Sequence, residues 1–496
     1  MKSRFIIFSL VILPFLVNAQ LENAAFTETG RGAATAFATD YHALGINPAN
    51  LAFGNRYNKK FTLGIGQVGA SIYSEAFDRQ DFSRAIFGVD DELTADEKQE
   101  IASDFASSDL AANIYTTVLG FGVNTENAGS FAVSVNFRAT YFSNLNDNAA
   151  SQLFSGFVDP YFNQWVVEDQ DGNTSVIPNQ GANYDNLENV ILGQSTNPQF
   201  ASDLYSGTRI RSMAFTEINL GYGKNVYESD DLLIHAGVGL KYLQGLFVMD
   251  LNIDDGGVVD AFAAVTPASG IELGEEEDNP SFVEGDGYTP VGDGFGFDLG
   301  LAAEVGDEFR VSVAVTDIGS ILFDGNVFTS GDTVVFDIET DGIDSYNVFT
   351  QFDDFAGDDG VFDWTGQEER RVNLPTQLRT GIGYFHNEKL RIGLDLALPL
   401  NDEPANIENA AFALGAEFLP SESFSLSAGI GAGDNFGFRV PFGVNFIVDE
   451  GTWEFGLATR DLLYAFKDNR PNISLVMGLL RFRFGEMGGE QPSRMY

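Results

Sequence analysis

The chain has no cysteine among its 496 residues. This absence excludes disulfide bonds, thiolate metal ligands, cysteine nucleophiles and a lipid anchor on a processed cysteine. Basic residues are scarce as well, since 27 Lys and Arg stand against 72 Asp and Glu, and the formal net charge is −45. A nucleic-acid binder needs a basic surface, so this balance excludes that class of protein.

Long apolar runs are scarce too. Lys2 and Arg4 precede the main one, which ends at Val17, and small residues before Gln20 offer a cleavage site. This pattern predicts a secretory signal peptide over residues 1–19. The run is too short for a membrane-spanning helix, and no later stretch is apolar enough to form one.

What the chain has instead is a repeated alternation of apolar and polar residues. Phe131, Val133 and Val135 share one face of a segment, and Ser134 and Asn136 share the other. A two-residue period predicts a strand that lies between an apolar and a polar environment. Fourteen such segments are predicted, over residues 61–72, 112–123, 130–142, 212–224, 231–246, 294–305, 309–317, 375–386, 389–399, 408–419, 423–433, 436–448, 452–464 and 471–484.

The connections between the first eight segments are alternately long and short, with short ones near 124–129, 225–230 and 306–308. An even number of strands with this spacing is the signature of a transmembrane antiparallel β-barrel. The predicted fold class is therefore all-β, a closed barrel of fourteen strands, because lipid offers no partners to an open edge. We expect it in the outer membrane of a Gram-negative bacterium, where lipid, lipopolysaccharide and the barrel-assembly machinery are its partners.

Acidic residues concentrate in four predicted loops. Residues 73–111, 143–211, 247–293 and 318–374 carry 44 of the 72 acids. The simple interpretation is solvation and mutual repulsion of long extracellular loops. The alternative is bridging by divalent cations, either to lipopolysaccharide or between loops.

Strand parity assigns apolar side chains to lipid and charged side chains to the lumen. The outward face includes Phe412, Leu414 and Phe418, and in 436–448 it begins with Phe436, Phe438 and Val440. Each Arg or Lys facing lipid near the midplane would cost roughly 2–4 kcal/mol, so the charged face must point inward. The predicted lumen residues are Arg138, His235, Lys241, Asp298, Glu304, Arg310, Arg379, Arg391, Asp395, Glu417, Arg439, Glu454, Arg460, Arg481 and Arg483. Their arginines either form an ion network around a plug or draw the carboxylate of a ligand inward.

The segment from 20 to 60 fits neither a strand nor a linker. It is rich in small residues, and Asn-Pro marks a chain reversal. We predict a plug inside a lumen too wide for side chains to fill. The candidate plug residues are Asp40, Asn47, Pro48 and Ala49. The barrel would then span 61–484, with a periplasmic tail over 485–496.

The stretch Asp40-Tyr-His-Ala-Leu-Gly-Ile-Asn-Pro-Ala-Asn-Leu51 resembles the N-terminal hatch of FadL-type long-chain fatty-acid transporters, which are fourteen-stranded barrels. With Gly239-Leu-Lys-Tyr-Leu-Gln-Gly245, Val315-Thr-Asp-Ile-Gly-Ser-Ile321 and Ala458-Thr-Arg-Asp-Leu-Leu463, nearly the whole chain resembles an uncharacterised outer-membrane family of the Bacteroidota, a domain of unknown function. The resemblance to FadL implies passage of a hydrophobic small molecule.

Motifs for catalysis or metal binding are few. His42, His235 and His386 have no partners at ligand spacing, so they predict no metal site. Three residues at the start of a predicted loop are a weak candidate for a calcium site. The alternative interpretation of the same residues is an ordinary Asp-Gly-Asn turn. These residues are Asp169, Asp171 and Asn173. No nucleophile elbow or phosphate-binding loop occurs, and we predict a protein that is not an enzyme and needs no cofactor.

A capping box, Thr94-Ala-Asp-Glu97, predicts a helix that runs to about Phe105 and packs onto the first loop. The alternative is that this helix forms the lip of a ligand groove.

Two functions remain. The first is a barrel that binds or passes a hydrophobic or amphipathic small molecule past its plug. The second is a docking or scaffold protein whose acidic loops or lumen bind another protein. Transport predicts a plug that can move and a continuous apolar pocket from a loop groove into the lumen. Docking predicts a sealed lumen and ordered loops with an exposed apolar patch.

Overall fold

The computed structural model describes residues 25–78, 80, 84, 93–125, 128–271, 273–274, 279–285, 287–343, 361–433, 437–466 and 472–487. The predicted signal peptide, most of the predicted tail and Phe436 lie outside these residues.

Fourteen antiparallel strands form one closed barrel. They are β1 (Lys59–Ser74), β2 (Asp109–Val123), β3 (Ser130–Asn144), β4 (Arg209–Glu228), β5 (Leu232–Ile253), β6 (Gly292–Val305), β7 (Phe309–Phe323), β8 (Gln377–Asn387), β9 (Leu390–Pro399), β10 (Ala411–Ser421), β11 (Phe424–Gly433), β12 (Phe442–Val448), β13 (Trp453–Thr459) and β14 (Asn472–Glu486). Each strand pairs with the next, and β1 pairs with β14 from Lys59↔Glu486 to Tyr73↔Asn472. The closed sheet leaves no unpaired edge, which a membrane barrel requires.

The predicted strand number and order are confirmed, but two late strands are shorter than predicted. β12 begins at Phe442 rather than at 436, and β13 ends at Thr459. Pro441 precedes β12 and has no N–H for the ladder, so the strand begins after it. Phe438 and Val440 therefore belong to a connection and not to the outward face of a strand. Residues 462–465 form a 3-10 helix (Leu462–Ala465).

The outward face of the barrel is a band of apolar and aromatic side chains. Their exposure contrasts with the buried polar residues at the alternate positions of the same strands. This is the pattern of a wall that faces lipid. The exposed members of the central strands are Val238, Leu240, Tyr242, Phe295, Phe297, Leu299, Leu301, Val305, Phe309, Val311 and Val313.

Among the described residues, no helix is both long and apolar enough to cross a membrane.

The two ends of the barrel differ. At one end, which we call the short-turn end, strands are joined by connections such as 229–231 and 306–308, and β1 begins and β14 ends there. At the other, the long-connection end, four long segments leave the barrel between β1 and β2, β3 and β4, β5 and β6, and β7 and β8. The strands also extend further at the long-connection end. For example, β5 has 22 residues, about twice the length needed to cross lipid.

The long connections fold together into a cap with its own apolar core. Its helices are α2 (Ala95–Phe105), α3 (Asp147–Ser155) and α4 (Ala201–Leu204), and short 3-10 helices cover Gly156–Val158, Leu187–Asn189 and Pro267–Ser269. A four-stranded sheet is ordered Val334–Ile338, Val190–Phe200, Gln164–Glu168 and Thr174–Pro178. Further short strands, Val259–Val265, Val327–Ser330, Thr365–Gln367 and Arg370–Asn373, extend the barrel sheet.

The predicted capping box is confirmed at the start of α2. Thr94 Oγ1 accepts from the N–H of Glu97 at 3.3 Å, and the Glu97 carboxylate accepts from the N–H of Thr94 at 2.9 Å. The hydroxyl of Thr94, which donates to the Glu97 carboxylate at 2.7 Å, and the N–H of Thr94 together hold the pKa of Glu97 below its usual value. Ile101 and Phe105 are buried in the core of the cap, in contact with α3, so the predicted packing of this helix onto a loop is confirmed.

A segment that precedes the barrel, residues 25–58, contributes no strand before β1 and is called here the inner segment. It contains α1 (Phe26–Thr29) and two 3-10 helices, Asp40–Ala43 and Pro48–Phe53.

We expect Leu299→Lys to lower the free energy of unfolding by about 2–4 kcal/mol, because Leu299 lies in the middle of the apolar band and a charge there would face hydrocarbon. The measurement is urea unfolding of the barrel from lipid vesicles. Val258→Lys is the control, since Val258 is exposed in the turn after β5. Equal losses in the two variants would contradict the assignment of the lipid-facing wall.

Candidate functional site

The inner segment lies inside the barrel, against the short-turn half of the wall. Its residues contact inward positions on strands on all sides of the barrel, and most of its side chains are buried. Wall glycines make room for it. A β-carbon at Gly120 would overlap the ring of Tyr41, and one at Gly478 would overlap the ring of Phe26. The inner segment therefore lies among inward-facing residues of the wall at this level, and its role as a plug stays a prediction.

The 3-10 helix Pro48–Phe53 fits into a channel of glycines on three adjacent strands. A β-carbon at Gly223 of β4 would lie 2.7 Å from the carbonyl oxygen of Pro48. One at Gly237 of β5 would overlap the backbone of Pro48 and Ala49, and one at Gly300 of β6 would overlap the side-chain oxygen of Asn47. Only glycine permits backbone to approach this closely.

Asn47 joins this helix to the wall. Its Oδ1 accepts from the N–H of Ala49 at 3.0 Å and so caps the helix, and its Nδ2 donates to the carbonyl oxygen of Leu301 at 3.1 Å. Asn47 is fully buried, and it makes direct hydrogen bonds to both the helix and a barrel strand. Ala49 itself packs with Phe53 and Ala302.

Asp40 forms an ion pair with β14. Nη2 of Arg481 donates to both carboxylate oxygens of Asp40, at 2.9 and 2.8 Å. Glu454 of β13 accepts from Arg481 at 2.8 Å and from Arg483 at 2.7 Å. All four side chains are buried. They carry two positive and two negative charges, so the carboxylate of Asp40 makes this group of four electrically neutral. The Asp40 backbone has φ 47°, a conformation that Asp and Asn adopt more readily than most residues.

Two further charged groups of the wall, on β9 and β10, bind the inner segment. Arg31, which is not among the predicted plug or lumen residues, donates to Glu417 of β10 at 3.0 Å, and Arg391 lies 3.6 Å from the same carboxylate. Asp395 of β9 accepts from the backbone N–H groups of residues 34 and 35, each at 2.7 Å. Predicted lumen acids thus bind the segment through both side chain and backbone.

A second ionic cluster lies above the inner segment. Arg138 donates to Asp317 at 3.1 Å and to Glu217 at 3.4 Å, and Lys241 lies 2.9 Å from Asp298 and 2.5 Å from Asp317. Of these five residues, Glu217 and Asp317 are not among the predicted lumen residues. Asp317 lies at a register shift between β6 and β7, where two consecutive residues of β7 are buried and the two-residue period fails.

Towards the long-connection end, apolar side chains fill the space between the walls. This cluster consists of Met213, Phe215, Leu243, Val248, Phe262, Ala264, Val291, Ile321, Phe323, Val327, Val372, Leu374 and Ala405. The lumen is therefore occupied at three levels, by the inner segment, by the ionic cluster and by apolar packing.

The remaining predicted lumen residues are also buried. Arg310 donates to Glu304 at 2.9 Å and lies over the ring of Phe53, 3.6 Å from its centroid. Arg460 donates to Ser71 at 2.9 Å. His235, Arg379 and Arg439 are buried on the inner face.

The histidines and the calcium candidate lie apart from one another. His42 contacts Gln67 at 2.8 Å inside the barrel, whereas His386 is exposed at the short-turn end. Asp169 begins a turn between two strands of the cap, where its carboxylate accepts from the N–H groups of Asp171 and Asn173, each at 2.9 Å. Within the part of the chain that the structure describes, no group of three or more His, Cys, Asp and Glu residues is arranged to hold a metal ion.

These features define a closed, fourteen-stranded membrane barrel whose lumen holds a segment from outside the sheet. The chain belongs to the family of unknown function DUF5723, whose sequence model matches residues 179–452. The prediction of a family of unknown function is confirmed, and an origin in the Bacteroidota stays a prediction.

The solved structures that are similar to this chain share little sequence with it. No curated protein matches the chain. It is similar to a solved TodX mutant described as a monoaromatic hydrocarbon channel, with 11% identity, a TM-score of 0.48, and coverage of 94% of this chain and 100% of that one. It is also similar to the toluene transporter TbuX of Ralstonia pickettii (12%, 0.43, 94% and 100%) and to a FadL homologue of Pseudomonas aeruginosa (13%, 0.41, 95% and 100%). Such low scores establish no shared substrate.

We expect Asp40→Asn to release the inner segment, at a cost of about 3 kcal/mol, because the buried arginines lose a compensating charge while the backbone conformation is kept. Hydrogen exchange of residues 25–58 should rise while that of the barrel strands is unchanged. The control is Asp260→Asn, which breaks an exposed ion pair with Arg370 and should cost at most about 1 kcal/mol. Unchanged protection of the segment in Asp40→Asn would show that this ion pair does not hold it.

Gly300→Ala should displace Asn47 and weaken the binding of the helix, by roughly 1–3 kcal/mol for an overpacked site. The measurement is the rate of trypsin cleavage after Arg31, a residue that is 1% exposed and is cleaved only when the segment moves. Gly331→Ala is the control, because a β-carbon at Gly331 meets no atom within 4 Å. Equal cleavage rates in the two variants would refute the proposed fit.

Proposed function

We propose that this protein is an outer-membrane barrel of a Gram-negative bacterium that binds or passes a hydrophobic or amphipathic small molecule, with the inner segment as its gate. The conformation described above is then the closed state. The proposed activity is transport without catalysis or a cofactor.

One observation carries this proposal: a segment outside the sheet fills the short-turn half of the lumen and is bound there by separate polar contacts. Asp40, Asn47 and Asp395 each contribute one such contact. The apolar contacts of the segment are divided among small clusters, the largest of which has five residues. Because water can replace ionic and hydrogen-bonding partners, such a segment can detach at lower cost than a part of one continuous apolar core.

A second function is favoured by a different observation. The long connections form a cap with one large apolar core that includes Phe154, Phe162 and Trp165, each fully buried. An ordered cap above a filled lumen also suits a docking protein. In that case the inner segment is a permanent part of the barrel, and its movement is irrelevant to binding.

An engineered disulfide bond between the inner segment and the wall distinguishes the two functions. Because the chain has no native cysteine, no other disulfide bond can form within it. A β-carbon at Gly32 would lie 3.4 Å from that of Ala413 in β10, close to the separation of about 3.5–4.5 Å in a disulfide. In the double variant Gly32→Cys, Ala413→Cys, oxidation should fix the segment to the wall and abolish uptake, and reduction should restore it. The measurement is uptake of radiolabelled oleate and of toluene by cells that carry the protein in an outer membrane coated with lipopolysaccharide.

The controls for this experiment are the two single variants, which cannot form the bridge. Gly32 has φ +75°, so Gly32→Cys alone also reports the strain of a side chain there, roughly 1–2 kcal/mol. Uptake that is equal in the oxidised and reduced double variant would rule out the gate. Absence of uptake in every form, with a partner protein bound to the cap, would support docking instead.

A further inference from the structure

We propose that a cavity under the inner segment, at the short-turn end, is a binding site for a small oxyanion, either a carboxylate or a phosphate group. This deepens the proposed function, because it names the part of an amphipathic passenger that the barrel would hold. Binding at the site is measurable without any transport.

The cavity lies between the inner segment and the ends of the strands. Thr27 and Tyr57 of the segment line one side, and Arg310, Arg391 and Glu454, each near a short turn, line the other. Its volume is about 80 Å³. Because a single water needs about 10–15 Å³ on this measure, the space suits a few waters or one small polar group and not a whole lipid chain.

The charge around the cavity is positive, in contrast to the chain as a whole. The lining has five arginines and three glutamates, which are Arg56, Arg310, Arg391, Arg481, Arg483, Glu28, Glu417 and Glu454. When the ion-pair partners Arg31, Asp40 and Glu304 are counted as well, the group has six positive and five negative charges, which leaves an excess of one positive charge.

Several of these guanidinium groups have N–H donors that make no hydrogen bond. Nε and Nη2 of Arg391, Nη1 of Arg56, and Nε of both Arg481 and Arg483 are buried and make no hydrogen bond. Arg481 and Arg483 are 2% and 4% exposed, so these donors cannot turn towards bulk water. Buried donors are normally satisfied, and charged N–H groups bind carboxylate and phosphate oxygens best. N–H donors of this kind around a small, positively charged cavity are the groups that an oxyanion-binding site requires.

The test is calorimetric titration of the purified, full-length barrel with four probes: acetate, phosphate, octanoate and octanol. Binding of acetate or phosphate identifies a site for free anions. Binding of octanoate, with neither acetate, phosphate nor octanol, identifies a site for the carboxylate of an amphipathic molecule. In either case, Arg391→Gln should weaken binding about tenfold or more, the effect of losing a hydrogen bond to a charged group.

Arg56→Gln is a second variant with the same expectation, and it changes the inner segment and no barrel strand, so the wall can fold around it. Arg370→Gln is the matched control, because Arg370 pairs with Asp260 at an exposed position near the long-connection end, far from the cavity, and it should leave binding unchanged. The proposal is overturned if no anion binds, if octanol binds as well as octanoate, or if neither Arg391→Gln nor Arg56→Gln weakens binding. A barrel that binds anions but shows no uptake would disprove the proposed gate and would leave the proposed anion site standing.

Discussion

The constraint on which this structure depends is the neutralisation of charge inside a closed barrel. A fourteen-stranded wall encloses more space than its own side chains fill, and it points arginine, lysine and carboxylate groups into that space. A buried charge without a partner costs several kcal/mol. The wall therefore needs partners, and Asp40 and Arg31 of the inner segment are two of them.

This constraint links the fold of the wall to the position of the segment. Arg481 and Arg483 share Glu454 within the wall, but two arginines need a second carboxylate, which Asp40 supplies from 441 residues away in the chain. Wall glycines then set the depth of the segment, because larger residues would occupy its place. Charge pairing and shape thus select the same position, and the balance between them decides whether the segment can leave.

The pattern of the sequence predicted much of the barrel and little of the cap. Alternation was continuous in β3 and β9, and their faces are as predicted. It failed at Asp317, where the register shift places consecutive residues on the same face, and before β12, where Pro441 interrupts the ladder. The strands within the long connections were not predicted, because their partners lie in other connections: Val334–Ile338 pairs with Val190–Phe200.

The sequence by itself determined the number of strands, their order, their inward and outward faces and the existence of a separate segment before them. These depend on a two-residue period, on turn spacing and on composition, all of which are local properties of the chain. Only the tertiary structure decided which charges meet, where the segment lies and how the long connections pack. Those outcomes depend on contacts between residues hundreds of positions apart, such as Arg31 with Glu417, and no local pattern specifies them.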